Sequence, residues 1–400
     1  MSSAAPIDPA LWDAIASLPL LDQHCHGVIS HDPSAAQLEA LINEGGLPAA
    51  PGTSRWDSPV GLALRRHCGP VLDLEPFADP AGYLARRHQL GADEVNRRLL
   101  RAAGTAGLIL DTGFRSAEIA ASDVMAALAG VPTWEIVRLE AVAEEVARDC
   151  GSAARYPAAL AEALAARLPL AVGLKSILAY RGGFAIDPSP PTTAEIVEAA
   201  GRWLGEIERG APVRLTDPTL LRFGIWAGVE LARDHHLPLQ FHVGYGDPDL
   251  TLHLTNPSLL TELLKRLGEL DMPVVLLHCY PYHREAAYLA DMLPHVYVDL
   301  GLALTFAGAS AGRIVAETME VAPFTKQVYS SDGFGLAELH YLGAQHFRAG
   351  LARVLDGWLA DGACTLSEAV RIATLVASEN ARRIYSLTRH VDAGVGWAPD

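Results

Sequence analysis

Short apolar runs recur along this chain, and most of them stop at a polar or ionisable residue. Runs at 20–25, 106–111, 133–139, 170–175, 237–242, 273–278, 296–300 and 327–332 have the length and aliphatic character of strands. The run Val274-Val275-Leu276-Leu277 is continuously apolar rather than alternating. That marks a strand buried on both faces of a parallel sheet. Helical sequence follows each run, at 116–128, 141–168, from Thr192, at 217–235, from Asn256, from His283, after 300, and at 335–359 and 365–387. The spacing Thr192–Glu195 predicts a capping box, and Asp217-Pro218 an N-cap with proline in the first turn. A short helix at 9–18 should lead into the first strand. Eight strands, each followed by helix, predict an α/β fold: a (β/α)8 TIM barrel forming one domain over 1–400. An open doubly wound sheet is the alternative, but no GxGxxG follows a strand. Residues 28–104 are too many for a simple strand–helix connection. They are expected to form a mainly helical insertion covering one end of the barrel. Helices close the chain, and 390–400 are expected to form a loosely ordered tail.

Composition narrows the partners. Half the residues are apolar and a fifth charged, enough for a sizeable core. The net charge of −16, with no basic run to offset it, argues against nucleic acid. Five cysteines without a CxxC pair fit a reducing compartment. No signal peptide and no bilayer-length apolar stretch is evident, so a cytoplasmic protein without a membrane partner is expected. The insertion is the expected contact for a homodimer.

The chemistry lies where the runs end. They end at His24/His26, Asp111, Arg138/Glu140, Lys175, His242, His278, Asp299 and Asp332. In a barrel these positions share the rim that carries reactive groups. Ionisable residues closing apolar strands are costly unless paired or metal-bound. His24 and His26, two residues apart, should project from one face of the first strand and can grip one cation. Taken singly, His242 and His278 read equally well as satisfied core histidines; taken with Asp332, the group reads as a metal site. Lys175 reads as a bridging ligand if carbamylated, as a substrate-binding cation, or as half of a salt bridge. Cys25 and Cys279 should face the surrounding helices and are discounted as ligands. Arg181, just past the fourth strand, suits a substrate carboxylate, with Arg138, Tyr245 and Tyr280 as further rim candidates. His283 and Arg284 either join them or open a helix facing away. The cations favour a small anionic substrate.

This arrangement resembles the amidohydrolase superfamily: HxH after strand one, lysine after strand four, histidines after five and six, aspartate after eight. The stretches 173–183 (GLKSILAYRGG), 240–247 (QFHVGYGD), 278–288 (HCYPYHREAAY), 297–301 (YVDLG) and 330–332 (SSD) narrow it. They resemble the FluG/nodulin-type amidohydrolase domains of amidohydrolase family 2, over residues 20 to about 385. The resemblance implies a metal-dependent hydrolase with His24, His26, His242 and Asp332 as ligands. It implies that His278 polarises the substrate in a mononuclear site or binds a second ion, bridged by Lys175, in a binuclear one. One or two zinc ions are the expected cofactor, with manganese or iron as alternatives. Asp332 and His278 are the catalytic candidates, and a γ-glutamyl amide the expected substrate type. The alternatives are a decarboxylase or uronate isomerase of the same superfamily, or a non-catalytic regulatory barrel.

Overall fold

Eight parallel strands in the order β1 to β8 form the barrel of this computed structural model, which describes residues 7–388 and 396. They are β1 Leu20–Cys25, β2 Thr105–Asp111, β3 Thr133–Arg138, β4 Ala171–Ser176, β5 Leu239–Val243, β6 Val274–His278, β7 Val296–Asp299 and β8 Gln327–Val328. Neighbouring strands pair in parallel register throughout, as with His242 opposite Leu277 and Val243 opposite His278. The expected tail at 390–400 lies outside the described residues apart from Gly396.

The last strand is shorter than its apolar run suggests. Only Gln327–Val328 pair with β7. Beyond them the chain turns to β1 and closes the barrel through backbone hydrogen bonds. Gln23 N donates to the Tyr329 carbonyl at 3.1 Å, Asp332 N to that of His24 at 3.1 Å, and His26 N to that of Gly333 at 2.8 Å. Asp332 therefore sits past the strand, with a left-handed φ of 48°. For a non-glycine residue that conformation is held by its surroundings.

Helix punctuation follows local chemistry. Thr192 and Glu195 cap each other at the start of the helix Thr193–Glu208, and Asp217 accepts from the amides of Thr219 and Leu220 to open Pro218–Arg233. Two expected helices differ. The first begins only at Ser122, because Asp111 Oδ1 accepts from Gly113 N at 2.9 Å and turns the chain into a loop. The second divides into Leu139–Asp149 and Tyr156–Arg167, with Gly151 at φ 68° between them.

The insertion is helical, as its irregular periodicity indicates: Ala35–Leu41, Pro59–Ala63, Pro80–Leu90 and Ala92–Ala102 are its main helices. Trp56, Leu64, Tyr83 and Val95 pack with Leu336, Leu339 and Leu342 into one apolar cluster outside the barrel. Within that cluster Arg87 and Glu338 form an ion pair at 2.8 Å, each fully buried. The opposite end of the barrel is filled by Leu21, Ile109, Val172 and Leu277 together with Ile384 and Tyr385 from the C-terminal segment. No helix among the described residues is long and apolar enough to cross a membrane. All five cysteines are free.

Candidate metal centre

Three side chains meet where β1 and the chain beyond β8 are sewn together. One ligand atom from each of His24, His26 and Asp332 lies within 4.8 Å of the other two. His24 Nε2 is 3.2 Å and His26 Nε2 3.4 Å from Asp332 Oδ1. The pairing of β1 with β2 is irregular between Asp22 and Cys25. This lets Gln23 and His24, adjacent in sequence, both reach Gln240 on β5.

Hydrogen bonding settles which nitrogens face inward. Gln240 Nε2 donates to the Gln23 carbonyl at 3.0 Å, so its Oε1 accepts from His24 Nδ1 at 2.8 Å. His26 Nδ1 donates to the Asp111 carbonyl at 2.9 Å. In the neutral rings both Nε2 atoms are then lone pairs aimed at Asp332 Oδ1, itself buried and without a hydrogen-bond partner. Three acceptors facing one another repel unless a cation lies among them. The donor set of two imidazoles and a carboxylate suits zinc, with manganese or iron also compatible. The residues present therefore fit a divalent ion. Gln240→Leu is expected to lower metal affinity about 10–100-fold by releasing the His24 tautomer, measured by chelator competition.

The electrostatics agree. Burial, helped by the Lys175 charge, pushes His24 down to about 4. Burial also holds His242 and His278 well below their ordinary value, so these rings are neutral. Burial brings the Lys175 ammonium down to about 8, and its Nζ lies 3.4 Å from His24 Nε2. Beneath the site, Asp22 accepts from Ser331 N at 2.9 Å and from Ser331 Oγ at 2.5 Å, fixing the residue before Asp332.

His242 lines the same cavity and His278 borders it through Asp332, but both stand outside the 4.8 Å set. His242 Nε2 is 2.9 Å from the Tyr245 carbonyl and 3.0 Å from Tyr180 Oη. That leaves Nδ1 as its free lone pair. Gly246 permits this approach, since a Cβ there would lie 2.1 Å from Tyr180 Oη. His278 Nε2 is 3.4 Å from Asp332 Oδ2, and its Nδ1 is 3.7 Å from Asp299 Oδ2. Its backbone is left-handed, at φ 69°, as is that of Cys279 at φ 61°. Cys279 points into the apolar cluster behind the strands, as expected, whereas Cys25, though packed in an apolar cluster, has its Sγ within 4.8 Å of ligand atoms of Asp22 and His340.

The cavity above these groups has a volume of about 240 Å³. Lys175, Arg138 and Arg181 line it, but Tyr245 and Tyr280 do not. Tyr245 contributes its carbonyl instead, and Tyr280 is exposed and stacks on His283. The turn after β5 and the segment after β6 place both tyrosine rings outside the lining of this cavity. His283 and Arg284 face away, paired with Glu317 and Glu320. Arg138 is engaged by Asp111 through Nε at 2.9 Å and Nη2 at 2.6 Å. Arg181 is engaged by Glu144 at 2.9 Å. Sequence reasoning missed Glu44, Asp247, Tyr180 and Phe114, all in the lining. Tyr180 and Asp247 stand in the stretches that carried the resemblance, but Glu44 lies in the irregular insertion without any periodic signal.

The barrel and its rim make a metal-dependent-hydrolase-like fold, and the sequence profile described as amidohydrolase matches residues 158–387. The chain belongs to the amidohydrolase family. It is 27% identical to the fluG protein of Emericella nidulans over 94% of its own length and 47% of the relative's, so it spans about half of that protein. Among solved structures, a candidate metal-dependent hydrolase from Lactobacillus casei superposes with a TM-score of 0.83 at 27% identity, covering 96% of this chain and all of that one. A uronate isomerase from Bacillus halodurans shares the fold alone, with a TM-score of 0.64 at 15% identity over 96% of this chain and 97% of its own.

Proposed function

We propose that the protein hydrolyses a carbon–nitrogen bond in a small carboxylated amide, with a γ-glutamyl amide as the first candidate. The observation that carries this reading is the convergence of three acceptor atoms, from His24, His26 and Asp332, on one point. A divalent cation held there, zinc by preference, acidifies a water and polarises a carbonyl.

The remaining work falls to the chain. His24 and His26 hold the cation with rings locked by Gln240 and the Asp111 carbonyl. His242, with Nε2 committed to the Tyr245 carbonyl, would have Nδ1 to offer. Asp332 directs Oδ1 to the two histidines and Oδ2 toward His278. Oδ2 is thus placed to take the proton as water oxygen bonds to the amide carbon. It then gives the proton to nitrogen as the C–N bond breaks, yielding a carboxylate and an amine. His278 Nε2 donates to the carbonyl oxygen as negative charge builds there. Lys175, if carbamylated, and His278 would be the residues to hold a second ion; as an ammonium Lys175 supplies a cation beside the site. The γ-glutamyl assignment rests on the resemblance of the five rim stretches.

Protein reconstituted with zinc should release glutamate and aniline from γ-glutamyl anilide in equal amounts. Failure to do so with the metal stoichiometrically loaded overturns the substrate assignment. Carbon dioxide release from a carboxylated substrate, or interconversion of a uronate, transfers the site to the decarboxylase or isomerase class. A protein that holds no metal is left as a regulatory barrel.

A further inference from the structure

The cavity lining carries charges of both signs. Arg138 and Arg181 bring guanidinium groups from the ends of β3 and β4. Arg138 commits Nε and Nη2 to Asp111. The Arg181 side chain is only 8% exposed, lines the cavity, and keeps a buried Nε without a hydrogen-bond partner. Glu44, brought in by the insertion, and Asp247, carried by the loop after β5, line the same cavity, and the charges of Arg115 and Arg138 act on Asp247.

These two carboxylates are brought together by packing. A Cβ built on Gly45 would lie 3.3 Å from the Pro248 ring, so the residues following Glu44 and Asp247 are in contact. The other cavity carboxylates have partners: Glu144 holds Arg181, and Asp249 holds Arg214 at 3.1 Å. Among the described residues neither Glu44 nor Asp247 makes an ion pair. Burial and then the charges of Asp332 and Asp247 push Glu44 well up; burial, Asp249 and Asp332 bring Asp247 to about 6. Two such groups facing one small cavity gain most from a cation delivered by the ligand.

We propose that the cavity recognises an α-amino acid head group. Its ammonium lies between Glu44 and Asp247, and its carboxylate meets Arg138 and Arg181. The inference rests on the hydrolase reading only in placing the scissile bond beside Asp332. The ligand is then a zwitterion, and Glu44 and Asp247 are the specificity residues that require its amine. A glutaryl amide, identical except for the missing amine, leaves both carboxylates unpaired.

Calorimetry on the metal-loaded protein with L-glutamate and with glutarate tests this without turnover. L-glutamate is expected to bind about tenfold tighter or better, the scale of one charge-assisted hydrogen bond. In Glu44→Gln and Asp247→Asn the ratio should fall toward one, while metal content stays stoichiometric. Equal or tighter binding of glutarate, no measurable binding of either ligand, an undiminished ratio in both variants, or loss of metal from them overturns the proposal. If the preference holds but γ-glutamyl anilide is not hydrolysed, the hydrolase reading fails and the head-group site stands. Hydrolysis of γ-glutamyl and glutaryl anilides at equal kcat/KM removes the head-group site and leaves the hydrolase standing.

Discussion

Asp332→Asn is expected to reduce turnover by about 10³-fold or more and to weaken metal retention, yet to leave the metal-free protein at least as heat-stable as the parent. The loss of turnover combines the missing proton carrier with a neutralised ligand. The stability follows from the hydrogen-bond arrangement. Without a cation, His24 Nε2 and His26 Nε2 point lone pairs at a carboxylate oxygen that has no proton to share. An asparagine can turn its NH2 toward them and convert a repulsion into hydrogen bonds. The backbone bond from Asp332 N to the His24 carbonyl survives the change, so the barrel closure is kept. Elemental analysis, steady-state assay and calorimetric melting of the metal-free forms check the three parts. An asparagine variant that retains full turnover would remove Asp332 from the chemistry.

Arg87→Ala should be the most damaging substitution remote from the cavity, costing about 3–5 kcal/mol in denaturant unfolding. Arg87 Nη1 meets Glu338 Oε1 at 2.8 Å, Tyr83 Oη donates to the same oxygen at 2.9 Å, and both charged side chains are fully buried. Removing the guanidinium strands a carboxylate in an apolar cluster between the insertion and the helix Ala337–Ala360. The paired change Arg87→Met with Glu338→Leu removes both charges and should recover most of the loss, because the desolvation of each ion is then avoided as well. A single variant as stable as the parent would show that Glu338 becomes protonated or reaches water at little cost.

Much of the site was legible because a buried strand has one natural place for polar groups, its end. His24, His26, Lys175, His242, His278 and Asp332 all announced themselves by interrupting apolar runs, and all six line or border one cavity. The strand under Asp332 was misjudged for an instructive reason. Residues 329–331 are as buried as a strand although two of the three are serines, but their hydrogen bonds go to β1 through a left-handed turn. Hydropathy reports burial and carries no information about which neighbour receives the amide. Pairing was equally hidden. Arg138 reads as an unpaired cation until Asp111, 27 residues earlier, is seen across the adjacent strand end. Glu44 was beyond reach, since an isolated acid in an irregular segment gives no sign of the loop it will meet.

The short eighth strand gives the bound ion a second role. Imidazoles from the first strand and a carboxylate from beyond the last are gathered across the line where the cylinder is stitched shut. A cation chelated there acts as a clasp, joining the two ends of a chain whose middle supplies the walls. During synthesis, a nascent chain that stops short of Asp332 has the histidines without their acid, so firm capture of the ion must wait until the circle is complete.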